Sequence, residues 1–168
     1  MDRKKLVGFA IAAVATVALV LWLRPSESKR IRKVFATASS ELRKDGPEGL
    51  IVATAKAHAL AELVATEASF ELDDRILHEV ASGRQLVQQI MLVRGQAERI
   101  EVGFTDIAIA FGGGRTASVT ADVYVRGLSS ALGLGGRDAR ELEAVLEKDK
   151  DDDKWRFKSV RILPVVSM

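Results

Sequence analysis

The sequence predicts an α+β domain, three helices and a bent antiparallel sheet, carried behind one transmembrane helix. Three observations lead there. Leu6 to Leu23 is an unbroken apolar run behind the basic start Arg3-Lys4-Lys5. From about residue 26 to residue 98 the apolar residues recur mostly at helical spacing, interrupted by two short strand-like pieces. From Ile100 onward the period changes to two, in long segments separated by glycine-rich or acidic turns.

The apolar run comes first in the chain. As a helix rising ~1.5 Å per residue it reaches about 27 Å, close to the ~30 Å hydrocarbon core of a bilayer. A secretory signal peptide is the competing reading, but its apolar region is usually shorter and ends in small residues. Here the run closes on Leu21-Trp22-Leu23-Arg24-Pro25, bulky and then charged, and Trp22 suits the membrane interface. Residues 1–5 are therefore expected as a basic head, 6–23 as a single transmembrane helix, 24–27 as a tether and 28–168 as the domain. Arg3, Lys4 and Lys5 favour a cytoplasmic N-terminus and an extracytoplasmic domain at the cell (inner) membrane, although Arg24, Lys29, Arg30, Arg32 and Lys33 argue the other way on charge count.

The domain itself is electrically balanced. Of 25 basic and 23 acidic residues, Arg3, Lys4, Lys5 and Asp2 lie in the head, which leaves 22 of each sign from Arg24 onward. Such a body offers no electrostatic case for nucleic acid. The basic cluster at residues 29–33 suits anionic lipid headgroups instead.

Each element has a local cause. Ser26 or Ser28 caps a helix running to about Lys44, with Ile31, Val34, Phe35, Ala38 and Leu42 on one stripe. Asp45-Gly46-Pro47 stops it, and a second helix starts near Pro47 with Leu50, Ala53, Ala57, Leu60, Ala61 and Val64 as its apolar face. Short strands follow at about Ser69–Leu72 and Ile76–Val80, hinged at Asp73-Asp74. Ser82 with Gln85 forms a capping box for a third helix that buries Leu86, Ile90, Val93 and Ala97.

In the next strand Ile100, Val102 and Phe104 share one face, and Ile107, Ile109 and Phe111 continue it in the opposite parity. A β-bulge at Thr105-Asp106 is required to keep both sets on the core side. Gly112-Gly113-Gly114 turns into a strand at Ala117–Arg126 with apolar odd positions. A Gly/Leu-rich loop leads to a strand at about Ala139–Glu147, and the polar turn Lys148–Lys154 returns as the last strand, Trp155–Leu163.

This order of elements, the broken strand at Phe104-Thr105-Asp106 and the closing Trp155-Arg156-Phe157 strand resemble the nuclear transport factor 2-like (SnoaL-like) superfamily. The resemblance implies a cone-like α+β barrel, a curved antiparallel sheet wrapped around three helices over about residues 28–165. It also implies an internal pocket, which members use for catalysis, ligand binding or protein contacts.

Chemistry is scarce on the faces expected to line that pocket. Ala117, Val119, Ala121, Val123 and Val125, with Leu142, Ala144 and Leu146 and with Ile107, Ile109 and Phe111, supply no acid, base or nucleophile. Asp122, Tyr124, Glu141, Glu143 and Glu147 have the opposite parity and are expected outside, where a partner protein or a second copy could meet them. Candidate ligand-binding residues are His58, Phe70, His78, Phe104, Val119, Val123 and Leu142. His78 shares parity with Ile76 and Val80, whereas His58 sits at the edge of a helical stripe.

No catalytic residue, metal site or cofactor is assigned. Asp149, Asp151 and Asp153 have calcium-loop spacing, but Lys154 stands at the glycine position and Val160 at the closing acidic position. The glycine runs lack the strand–turn–helix setting of a nucleotide site. The expected function is a membrane-anchored, non-catalytic domain that binds a partner protein or an apolar ligand. The alternatives are an isomerase or dehydratase using His78 with Asp73 or Asp74, and a scaffold of an envelope secretion complex.

Overall fold

The structure, a computed structural model, describes residues 26–72, 75–80, 83–127 and 139–163, without the side chains of 72 and 75–80. The chain divides into two units, Met1–Arg30 and Ile31–Met168. Of the first, only Ser26–Arg30 is described, and it shows a helix start. The Ser26 hydroxyl accepts the Lys29 N–H at 3.4 Å, and Arg30 pairs with Glu27 at 3.1 Å. Among the described residues no helix is long and apolar enough to cross a membrane. The expected span at 6–23 lies outside them.

Helix α1 runs Glu27–Leu42 and buries Ile31, Phe35 and Ala38. Val34 and Leu42 pack against the same core, so the expected stripe is complete. The helix stops before Lys44 because that residue's backbone is used elsewhere, exchanging two 2.8 Å hydrogen bonds with Ile100.

Helix α2, Leu50–Glu62, begins three residues later than Pro47 suggested. Gly49 is its N-cap, without a side-chain capping bond. Ala53, Ala57 and Leu60 are buried as expected, but Leu50 is not on the buried face; it is 74% exposed. Val64 is not helical either. The Leu63 N–H bonds back to the Leu60 carbonyl and closes the helix, and strand β1 starts at once.

Strand β1 is Val64–Leu72, five residues longer at its start than Ser69–Leu72. It forms an antiparallel hairpin with β2, Arg75–Val80, in which Phe70 pairs with His78. Its other edge pairs in parallel with β6, Trp155–Ile162, from Val64↔Phe157 to Leu72↔Ile162. The sheet is therefore mixed, a correction to the expected wholly antiparallel arrangement. The extra length of β1 has its cause in this pairing. Val64 reads as part of the helical stripe alone, yet it finds a partner in Phe157 of the last strand, whose N–H bonds the Leu63 carbonyl at 2.8 Å, and Ala68 pairs with Val80 of β2. Glu67, at φ 59°, lies within the register shift between Val64 and Ser69.

Helix α3 is Gly83–Gln96; its expected capping residue Ser82 lies outside the described residues, as do Asp73, Asp74 and most of the Gly/Leu-rich loop. Strands β3 (Glu101–Phe111), β4 (Thr116–Arg126) and β5 (Arg140–Lys148) complete a six-stranded sheet of order β2-β1-β6-β5-β4-β3. The bulge expected in β3 is present: the register slips between Thr105 and Ala108, and Asp106 takes φ 51°. Phe104 and Ile107 thereby both reach the core side, against which both are packed.

Parity holds along β4 and β5, where Ala117, Val119, Ala121, Val123, Leu142, Ala144 and Leu146 are buried. Phe111, expected to continue the inner face, is half exposed at the sheet's end, tilted against Trp155 with ring centroids 6.2 Å apart. One core joins α1, the end of α2 and the inner faces of β3 to β6.

Candidate ligand pocket

The inner face of the sheet and the three helices line a half-open cavity of about 300 Å³. Helix α1 contributes Phe35, Ala38 and Leu42; Leu60 and Leu63 close the end of α2; and Leu86 and Ile90 come from α3. The sheet supplies Val64 and Phe70 from β1, Val102 and Phe104 from β3, Val123 and Val125 from β4, and Leu142 from β5. Phe157, Val160 and Ile162 of β6 complete the wall. Helical and strand periodicities, 3.6 and 2, deliver these side chains to one volume because each element has turned its apolar stripe inward.

Three aromatic rings brace the floor. Phe35 meets Phe104 edge to face at 5.2 Å and Phe157 likewise at 5.1 Å. Every described lining residue is aliphatic or aromatic, so none of them offers a polar side chain with which to hold water or orient a polar substrate. A volume of this size and lining suits an apolar molecule, bound by dispersion and exclusion from water.

Among the residues singled out from sequence, Phe70, Phe104, Val123 and Leu142 come together on the wall. Val119 is buried in the core but is not part of the lining. His58 is exposed on α2, since it falls on the side opposite Ala53, Ala57 and Leu60. The backbone of His78 pairs with Phe70 in β2, and its side chain lies outside the described residues.

One buried polar centre has no counterpart in the sequence reading. Arg94, only 2% exposed, stands on the apolar stripe of α3, four residues after Ile90. Its guanidinium grips Glu48 with contacts of 2.6, 2.8 and 3.0 Å, and donates to the carbonyls of Glu41 and Leu42 at 3.0 Å. Those carbonyls belong to the last turn of α1, where no helical donor remains. Lys56 adds a 3.0 Å contact to Glu48, and Lys44 reaches the carbonyls of Arg94 and Ala97. Burial pushes the Glu48 carboxyl upward, but the hydrogen bonds and charges of Arg94 and Lys56 outweigh it and hold the group below its ordinary value. This network anchors the ends of α1 and α3 and the start of α2 beside the cavity. Its one legible sign was an arginine on an apolar stripe.

The outer face of the sheet is polar. Asp122 lies directly opposite Glu141, and Glu143 opposite Arg161, which bonds Glu71 at 2.7 Å. The Tyr124 ring covers Gly103 and takes the Arg126 guanidinium 5.5 Å from its centroid.

The acidic turn is built as a hairpin. Asp149 accepts the Asp151 N–H at 2.8 Å, and Arg156 binds both Asp149 and Asp152. Some desolvation raises the Asp152 carboxyl, but Arg156 and the Lys154 N–H outweigh it and lower the group. Among the described residues no group of His, Cys, Asp or Glu is placed to hold a metal ion.

No known family pattern matches the sequence, and no curated protein matches it. Solved structures do. A function-unknown protein of Mycobacterium tuberculosis superposes with a TM-score of 0.60 at 19% identity, over 81% of this chain and 70% of that one. A nuclear transport factor 2-like protein with a cystatin-like fold from Novosphingobium aromaticivorans gives 0.56 at 15% identity, over 93% and 90%. A candidate scytalone dehydratase from the same bacterium gives 0.54 at 14%, over 84% and 95%. At these identities the likeness is one of fold, and the uses of that fold diverge. The chain adopts the cystatin-like, nuclear transport factor 2-like fold, an α+β domain with a curved sheet around three helices.

Proposed function

We propose that this is a membrane-anchored, non-catalytic binding domain whose internal cavity receives an apolar ligand. The observation that supports this reading is the chemistry of the lining. A cavity of about 300 Å³ bounded by aliphatic and aromatic side chains from all three helices and five strands provides affinity without a described acid or base. The anchor is the run Leu6–Leu23, which would hold the domain where apolar molecules are concentrated. The outer face around Tyr124, Glu141 and Glu143 remains for a partner protein or a second copy.

The test is photo-crosslinking of the full chain, in lipid nanodiscs, with a diazirine-bearing alkyl chain, followed by peptide mapping. Label is expected on peptides carrying Phe35, Leu60 and Leu142, and it is expected to fall sharply in Ala38→Leu, which fills the cavity without adding polarity. Labelling confined to residues 6–23 would sink the proposal. The isomerase or dehydratase reading, in line with the dehydratase assignment carried by one structural neighbour, needs His78 with Asp73 or Asp74. Loss of cellular function in both His78→Ala and Asp74→Ala, with stability intact, would favour it over the binding reading.

A further inference from the structure

Helix α2 is apolar on all sides: among its residues Leu50–Glu62 only Lys56, His58 and Glu62 are ionisable. A helix of that composition is normally covered all round. Here its first turn is open, with Leu50 74%, Ile51 85% and Val52 50% exposed. Three consecutive large aliphatic residues in water are costly to leave uncovered.

What lies beside them indicates the cover. The solvent stripe of α1 carries Arg32, Lys33, Ala36 and Ser40, all exposed and none a carboxylate, and exposed Arg43 follows the helix's last residue. Arg32 is held at the surface by a 2.8 Å bond to the Ile107 carbonyl. Arg43 is paired with exposed Asp45 at 2.9 Å, so the cations the stripe itself offers are Arg32 and Lys33. Glu48, two residues before Leu50, is gripped by the same Arg94 guanidinium that caps the end of α1. The aliphatic turn is therefore fastened beside the C-terminal end of the helix that carries Arg32 and Lys33.

We infer that this basic stripe and the Leu50-Ile51-Val52 turn form a peripheral docking surface for an anionic lipid bilayer. The cations meet the headgroups and the aliphatic turn enters the interface, as in amphipathic membrane-binding helices. The surface lies outside the cavity and does not rest on the cavity's having a ligand. It also does not require Leu6–Leu23 to span the membrane, although such an anchor would keep it close to its target.

The chain has no cysteine, so Ile51→Cys carries a single environment-sensitive nitrobenzoxadiazole label. The full chain is reconstituted with vesicles of phosphatidylcholine alone or mixed with phosphatidylserine, and flotation is measured alongside emission. Emission from the label is expected to move to the blue on the serine-containing vesicles, whereas the same label on Glu143→Cys stays at its aqueous position. Adding Arg32→Gln and Lys33→Gln to the Ile51→Cys chain is expected to lower the docking equilibrium roughly 30-fold, about fivefold per charge. Aqueous emission at Ile51 on both vesicle types, with the protein floating, would overturn the docking surface and leave the anchor standing. Failure to float on phosphatidylcholine counts against the anchor alone, and a serine-dependent shift would then still support docking.

Discussion

The Arg94 guanidinium binds the Glu48 carboxylate with three contacts between 2.6 and 3.0 Å and, from the same group, satisfies the last carbonyls of α1. One buried cation thus fastens two helix ends and the turn between them. Removing it leaves a carboxylate at low exposure with Lys56 as its remaining partner and several carbonyls without donors. Arg94→Met is expected to destabilise the domain by about 3 kcal/mol, at the lower end for a broken buried pair because Lys56 persists. Chemical denaturation monitored through Trp155 measures it. Replacing Glu48 by Leu in the same chain should recover part of the loss, because no unpaired charge is then buried.

The same pair makes stability depend on pH in a defined direction. Glu48 is held below its ordinary value of 4.5 in the folded chain. Between the two values the unfolded chain binds the proton more readily, so stability rises with pH across that window. Its contribution is complete above about 4.5 and disappears as pH falls through the lower folded value. Denaturation midpoints measured from pH 6 downward, roughly the range in which carboxylates govern stability, should fall less steeply in Glu48→Gln than in the parent. Parallel curves would disprove the assignment.

Phe35 is the keystone of the aromatic floor, fully buried and in edge-to-face contact with both Phe104 and Phe157. Phe35→Ala is expected to cost about 3–5 kcal/mol, since the vacated space joins an existing cavity and the two remaining rings lose their common partner. Thermal denaturation reads the loss. A conservative Phe35→Leu should lose less than half as much.

Two glycines answer differently to the same substitution. A Cβ on Gly103 would come within 3.0 Å of the Tyr124 ring, which can swing away; Gly103→Ala should cost about 1–2 kcal/mol and be relieved by Tyr124→Ala. At Gly127 the obstacle is the Arg99 backbone carbonyl and φ is 83°, so neither a rotamer change nor a second substitution offers relief. Gly127→Ala should be the more damaging of the two, as judged by the denaturant midpoint with slope unchanged.

Much of this architecture is legible from local rules. The parity of Ala117 to Val125 and of Leu142 to Leu146 named the buried face, because an antiparallel strand with one wet side admits a single register. The parity break at Thr105-Asp106 named the bulge. Four of the proposed wall residues, Phe70, Phe104, Val123 and Leu142, followed from the same alternation. What escaped depends on partners distant in sequence. Val64 reads as part of a helical stripe until Phe157 of β6, some ninety residues later, pairs with it. His58 was placed by a stripe edge, and α2 is apolar on so many sides that its stripe has no sharp boundary. Arg94 interrupts an apolar pattern, and only the folded arrangement of Glu48 and the α1 carbonyls explains why a charge is tolerated there.

The parallel joining of β1 to β6 also sets the order of assembly. Ser69 to Leu72 lies between a hairpin partner made within ten residues and a second neighbour near residue 160. During synthesis the inner edge of β1 stays open until the final strand has left the ribosome, so the sheet cannot close early.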